Sequence, residues 1–140
     1  MRRVLPGGFE LDDDRARLDV DVVFRYLSGE SYCAAGRTRD VVERAIEGSA
    51  RVVGLYHDGE QVGFARAVSD GVAMAYLADV FVLPEWQGRG LGTELVREVV
   101  DGGPHAHLKW LLHTRDAQAV YTRLGFGVPG ERLMERPAAS

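Results

Sequence analysis

Residues 77–100 read LADVFVLPEWQGRGLGTELVREVV, and this stretch limits the possible folds more than any other. An apolar run ends at Pro84 and a glycine-rich turn follows. Leu91, Leu95, Val96 and Val99 then recur at helical spacing. The segment reads as a strand, a tight turn and an amphipathic helix. Gln87, Gly90 and Gly92 stand as Q-x-x-G-x-G, with Gly88 adding a glycine and Arg89 a positive charge. Glycines allow a backbone to approach a ligand closely. A helix that starts there aims unpaired N–H groups and the positive end of its dipole at one point, which suits a diphosphate.

Three phosphate loops compete for this pattern. A Walker loop puts lysine after its glycines, whereas Gly92 is followed by Thr93 and Glu94. A dinucleotide fingerprint needs a further glycine where this chain has Leu95. Q-x-x-G-x-G, entered from a long apolar strand carrying a proline, resembles the GNAT superfamily of acyl-CoA-dependent N-acyltransferases. A second stretch strengthens the resemblance: Ala117, Tyr121, Gly125 and Phe126 fit A-x-x-x-Y-x-x-x-G-F, the other signature of that family. Asp116 departs from it, standing where asparagine is frequent. An aspartate caps a helix equally well but has no amide N–H to donate to the cofactor arm.

The remaining elements fit the same fold. A short edge strand is expected at 9–11, a helix over 18–27 capped by Asp19, a loop at 28–37, and a helix from Thr38 to Gly48. Strands at 50–56, 61–68 and 72–83 form a meander, the first turn carrying Asp58-Gly59. The near-continuous apolar character of 72–83 implies that both its faces are covered. After the glycine-turn helix come a strand at 107–114, a helix over 116–124, and two short strands at 126–128 and 131–136. The order predicts a single mixed α/β (α+β) domain over residues 1–140, with a mostly antiparallel central sheet flanked by helices and a frayed tail at 137–140.

Composition excludes several partners. The chain has 140 residues, 46% of them hydrophobic, and a formal net charge of −4, so it has no basic footprint for nucleic acid. Cys33 is the one cysteine, which fits a reducing, cytoplasmic setting. Residues 1–8 lack the apolar core of a secretory signal, and the 72–83 run, interrupted by Asp79, is too short to cross a bilayer, so no membrane partner is expected. No His, Cys and Asp cluster has metal-ligand spacing.

The resemblance implies an N-acetyltransferase that moves an acetyl group from acetyl-CoA to the primary amine of a small molecule, with pairing into a homodimer common in such folds. By that resemblance Gln87, Gly88, Arg89, Gly90, Leu91, Gly92 and Thr93 hold the pyrophosphate, backbone groups near Phe81 and Val82 hold the pantetheine arm, and Asp116 lies beside it. Tyr121 matches the general acid. A phenol pKa of about 10 lies near that of a thiol, about 8.5, so it can protonate the leaving thiolate.

The residues themselves suggest a base. An alkylamine with a pKa of about 10.4 is mostly protonated near neutrality, so the site must accept a proton. Asp79 is the one charge in its apolar strand. Desolvation there would raise its pKa and suit it to that task. Glu85, in the loop before the glycines, and a water relay are the alternatives, and His113 is a weaker one. Tyr32 in the 28–37 loop and Arg66 within a strand, in phase with Val62, Phe64 and Val68, are the candidate acceptor contacts. Arg66 would either meet an anionic substrate group or form a salt bridge. Two further readings stay open: a non-catalytic acyl-CoA-binding module on the same fold, and transfer to a protein amine.

Overall fold

The computed structural model describes residues 1–29 and 36–139. Six strands form one sheet in chain order: β1 (Arg2–Leu5), β2 (Phe9–Asp12), β3 (Arg51–His57), β4 (Glu60–Ser69), β5 (Met74–Val82) and β6 (Lys109–Leu112). The first five run antiparallel, and β6 pairs parallel to β5. Helices α1 (Val20–Gly29) and α2 (Arg39–Glu47) cover one face. On the other face lie α3 (Leu91–Asp101) and the short α4 (Gln118–Thr122).

Local chemistry explains most of these boundaries. The Asp19 carboxylate accepts from the N–H groups of Asp21 and Val22 at the start of α1. Thr38 Oγ1 accepts from Val41 N–H at the start of α2. Asp58 and Gly59 both hold positive φ, 49° and 86°, the geometry that a two-residue hairpin turn requires.

Four sequence expectations need correction. Phe9 does not begin an edge strand: β1 pairs outside β2, across a turn in which Gly7 and Gly8 both have positive φ. Residues 126–136 form no strand; Phe126 packs on the core, but Val128 and Met134 are 84% and 90% exposed. Pro129 lacks an N–H to give to a ladder there. β5 is not covered on both faces, because Ala78, Asp79 and Val80 border a cleft. Finally, Arg66 is out of phase with Val62. Leu55 pairs Gly63 and Tyr56 pairs Gln61, so Val62 is an extra residue in β4. Val62 therefore packs on the α3 side of the sheet and Phe64 on the α1/α2 side.

The core has two halves. Leu11, Val53, Leu55, Ala65 and Ala67 meet Leu91, Leu95, Val96 and Val99 of α3. Val52, Phe64 and Phe81 meet Val23, Leu27, Val42 and Ile46 of α1 and α2. Nearly halfway along β5 the sheet opens. β6 pairs only Met74–Leu77 of β5, and no strand among the described residues continues that pairing beyond Leu77.

Candidate active site

The opening of the sheet starts with a bulge. Arg66 of β4 pairs Ala78, and Phe64 pairs Phe81, so Asp79 and Val80 together oppose Ala65. Asp79 adopts φ 56°, an unusual value for a residue other than glycine. Its side chain is 5% exposed, and Oδ2 accepts from Arg66 Nε at 2.7 Å and from Arg37 Nη1 at 2.8 Å. Burial pushes its pKa up, but the Arg37 and Arg66 guanidiniums outweigh burial and hold it below the usual carboxylate value. The expected rise in proton affinity is thus reversed. Asp79 is desolvated as its apolar strand implies, and Arg66 takes the salt-bridge alternative, with Arg37 as a second partner. Arg66 is held in this ion pair and also donates to Ser49 Oγ at 3.4 Å.

These residues border a cleft of about 700 Å³ between β5 and the segment after β6. Its walls include Tyr26, Tyr76, Asp79, His113, Tyr121 and Glu135. Tyr26 of α1 stacks on Phe81 with ring centroids 4.2 Å apart and planes within 11°. Phe81 itself is buried beneath it. The Tyr121 ring packs edge-on to Phe126 at 5.9 Å and its hydroxyl makes no hydrogen bond to the described residues. Burial raises its pKa, so it keeps its proton through the neutral range.

The start of α4 differs from expectation. Asp116 is exposed and does not cap the helix; Thr114 Oγ1 accepts from Ala117 N–H at 3.1 Å instead. Asp116 still borders the cleft. Tyr32 and Cys33 lie outside the described residues. Glu85 sits exposed in a 3₁₀ turn, Pro84–Trp86.

The glycine turn lies at the other end of β5, beyond the cleft. Gly88 and Gly90 have φ of 80° and 78°, and a side chain at either would point into open space. Gly90 is the residue before α3 and has no side chain to cap it. Glu94 N–H bonds Gly90 O, and the N–H groups of Leu91, Gly92 and Thr93 in the first turn have no partner among the described residues. A Cβ on Gly92 would find only Val82 Cγ2, at 3.9 Å. Gln87 Nε2 donates to Val82 O at 2.8 Å, tying the turn to the end of β5 and engaging that carbonyl. Arg89 lies over the Trp86 ring, 5.1 Å from its centroid. The turn thus offers an anion uncapped donors, a helix dipole, an arginine and glycines that leave space.

The description "Acetyltransferase (GNAT) family" matches residues 21–126. The chain belongs to the GNAT family. The family and the fold make it an acyltransferase. Among its relatives, a Gibberella zeae protein described as a candidate acetyltransferase is 32% identical over 130 residues, covering 77% of this chain and 73% of that one. Mycothiol acetyltransferase of Nocardia farcinica is 36% identical over 118 residues, covering 78% of this GNAT chain but 38% of its own length. A crystal structure of a Xanthomonas campestris pv. campestris protein assigned to the GNAT family superposes with a TM-score of 0.87 at 38% identity, covering 93% of each chain.

Sequence reasoning missed Tyr26, Arg37, Tyr76, Thr114 and Glu135 as cleft residues. Arg37 carried one usable signal, its place at the end of the 28–37 loop. The others are brought to the cleft by strand pairing and by the course of the C-terminal segment. No group of three or more His, Cys, Asp or Glu among the described residues could hold a metal, and no described helix is long and apolar enough to cross a membrane.

Proposed function

We propose that this GNAT protein transfers an acetyl group from acetyl-CoA to the primary amine of a small molecule, by direct attack with both substrates bound. One observation carries the reading. The part of β5 that β6 leaves unpaired runs from the cleft holding Tyr121 to the free N–H groups at the start of α3. An extended arm can lie along that backbone edge as an added strand does.

Residues Gln87 to Thr93 would hold the pyrophosphate, with backbone N–H groups at Leu91, Gly92 and Thr93 and charge from Arg89. Phe81 and Val82 would flank the arm, and Asp116 would face it from the start of α4. The thioester supplies an activated acyl carbon. Tyr121, kept protonated by burial, would give its proton to the departing sulfur. Asp79 is here an anchor for Arg37 and Arg66, which shape the acceptor side of the cleft. A cytoplasmic setting fits the single cysteine.

The test is calorimetric titration with acetyl-CoA, followed by coupled detection of CoA release across a panel of primary amines that includes peptide N-termini. Micromolar binding with turnover on a small amine is expected. Binding without turnover on any amine would instead make the protein an acyl-CoA-binding module. Turnover confined to peptides would move the acceptor to a protein amine.

A further inference from the structure

Asp79 is bound by two guanidiniums, so the proton of the acceptor ammonium needs another destination. The cleft contains one. Tyr76 lies on β5 opposite Leu111 of β6, just before the two strands part. His113 follows directly on Leu112, the last residue of β6. The Tyr76 hydroxyl and His113 Nδ1 are hydrogen-bonded, with ring centroids 5.6 Å apart. On the far side of the imidazole, Nε2 lies 3.6 Å from Glu135 Oε2 of the C-terminal segment. All three border the same cleft as Tyr121. A half-buried tyrosine, an exposed histidine and an exposed glutamate are therefore linked in series along the cleft wall.

We propose that this series is the relay that removes the proton from the acceptor amine. The inference rests on the acetyltransferase reading above. The Glu135 carboxylate favours the imidazole tautomer with its proton on Nε2, which leaves Nδ1 to accept from the Tyr76 O–H. The ammonium gives a proton to Tyr76 Oη while Tyr76 gives its own to His113 Nδ1. The imidazolium faces Glu135 and releases its proton to solvent. The freed nitrogen lone pair forms the C–N bond, and the C–S bond breaks. The sulfur takes the Tyr121 proton, and the second proton leaving nitrogen restores Tyr121. The sum is one amide, one thiol and one released proton.

Other charges face the relay. Arg115 and Asp116 follow His113 in the same loop, Arg37, Arg66 and Asp79 stand across the cleft as a bound group, and Tyr121 faces it from α4. Neither carboxylate among these is paired to the imidazole, whose carboxylate partner is Glu135.

The test uses the full chain with acetyl-CoA and two acceptors: an alkylamine, and a hydroxylamine that is already neutral at pH 7. His113→Gln and Tyr76→Phe should lower kcat/KM for the alkylamine by about 100-fold, the low end of general-base contributions. They should leave the neutral acceptor within a few-fold of wild type. Glu135→Gln should weaken the relay at its solvent end, where the imidazole loses its carboxylate partner. Its rate effect should be only about two- to fivefold, because both partners are exposed. Independently of turnover, imidazole ¹⁵N shifts of the free protein should show His113 with its proton on Nε2, and Glu135→Gln should shift the tautomer balance.

A wild-type profile in His113→Gln, an equal loss with both acceptors, or a proton fixed on Nδ1 would overturn the relay and leave the acetyltransferase reading standing. Wild-type protein that acetylates no amine would overturn that reading, and the relay with it.

Discussion

Arg66 Nε lies 2.7 Å from Asp79 Oδ2, inside the bulge where the sheet opens. Arg37 reaches the same oxygen at 2.8 Å. Removing the negative charge leaves two guanidiniums in a mostly buried place without a counter-ion. Asp79→Asn should therefore destabilise the fold by about 3 kcal/mol, the low end for a broken buried pair, since the amide oxygen still accepts one hydrogen bond. The pH dependence follows from the lowered pKa. The Asp79 contribution is complete above the ordinary aspartate value, near 3.8, and is lost as pH falls through the lower folded value. Urea unfolding at pH 7 and between pH 5 and 2.5 measures both effects. The variant should lose stability at pH 7 and show a shallower acid decline.

Gly92 and Gly90 should respond differently to alanine. Gly92 stands in the first turn of α3 with room for a methyl group, and alanine is the better helix former by up to about 1 kcal/mol. Gly92→Ala should keep or raise the melting temperature while weakening acetyl-CoA binding at least about tenfold, because the methyl would crowd the anion against the N–H groups. Gly90→Ala forces a side chain to φ 78° and should cost about 1 kcal/mol as well as affinity. Paired calorimetry and thermal melts separate the two. Unchanged affinity in folded Gly92→Ala would remove the α3 N-terminus from the cofactor site.

Tyr121→Phe keeps the edge-on contact with Phe126 and deletes a hydroxyl that bonds to no described residue. Stability should change by less than about 0.5 kcal/mol. Turnover should fall by roughly 10²–10⁴-fold with little change in acetyl-CoA affinity. Because burial raises the phenol pKa, the wild-type rate should not fall from Tyr121 ionisation until the pH passes the usual tyrosine value of about 10. Single-turnover kinetics with one accepted amine provide the measurement. An unchanged rate would leave Tyr121 as packing.

Gly103 abuts a buried ion pair that does not line the cleft. Arg51 Nη2 lies 3.0 Å from Glu98 Oε2, and both side chains are less than a tenth exposed. A Cβ at Gly103 would stand 2.5 Å from Arg51 Nη1, which donates to Glu98 O. Gly103→Ala should therefore destabilise the protein by about 1–3 kcal/mol through displacement of Arg51. Acetyl-CoA affinity should be preserved, and denaturant melts beside calorimetry would show the contrast.

Short-range patterns in the chain determined most of the elements. Period-3.6 apolar residues marked α1, α2 and α3, Asp58-Gly59 marked the β3–β4 turn, and Asp19 and Thr38 marked two helix starts, because each depends on atoms a few residues apart. The glycine turn and the Ala117–Phe126 signature likewise carried the family. The tertiary structure alone decided the electrostatics and the edges. Asp79 meets Arg37 and Arg66 from 42 and 13 residues away, and the balance between desolvation and two guanidiniums sets the direction of its pKa shift. Strand periodicity gave no sign of the extra residue at Val62 or of the bulge at Asp79, since a bulge is defined by the partner strand. The same holds for Tyr76, His113 and Glu135. They lie far apart in sequence and meet only where β5 and β6 part and the C-terminal segment returns across the cleft.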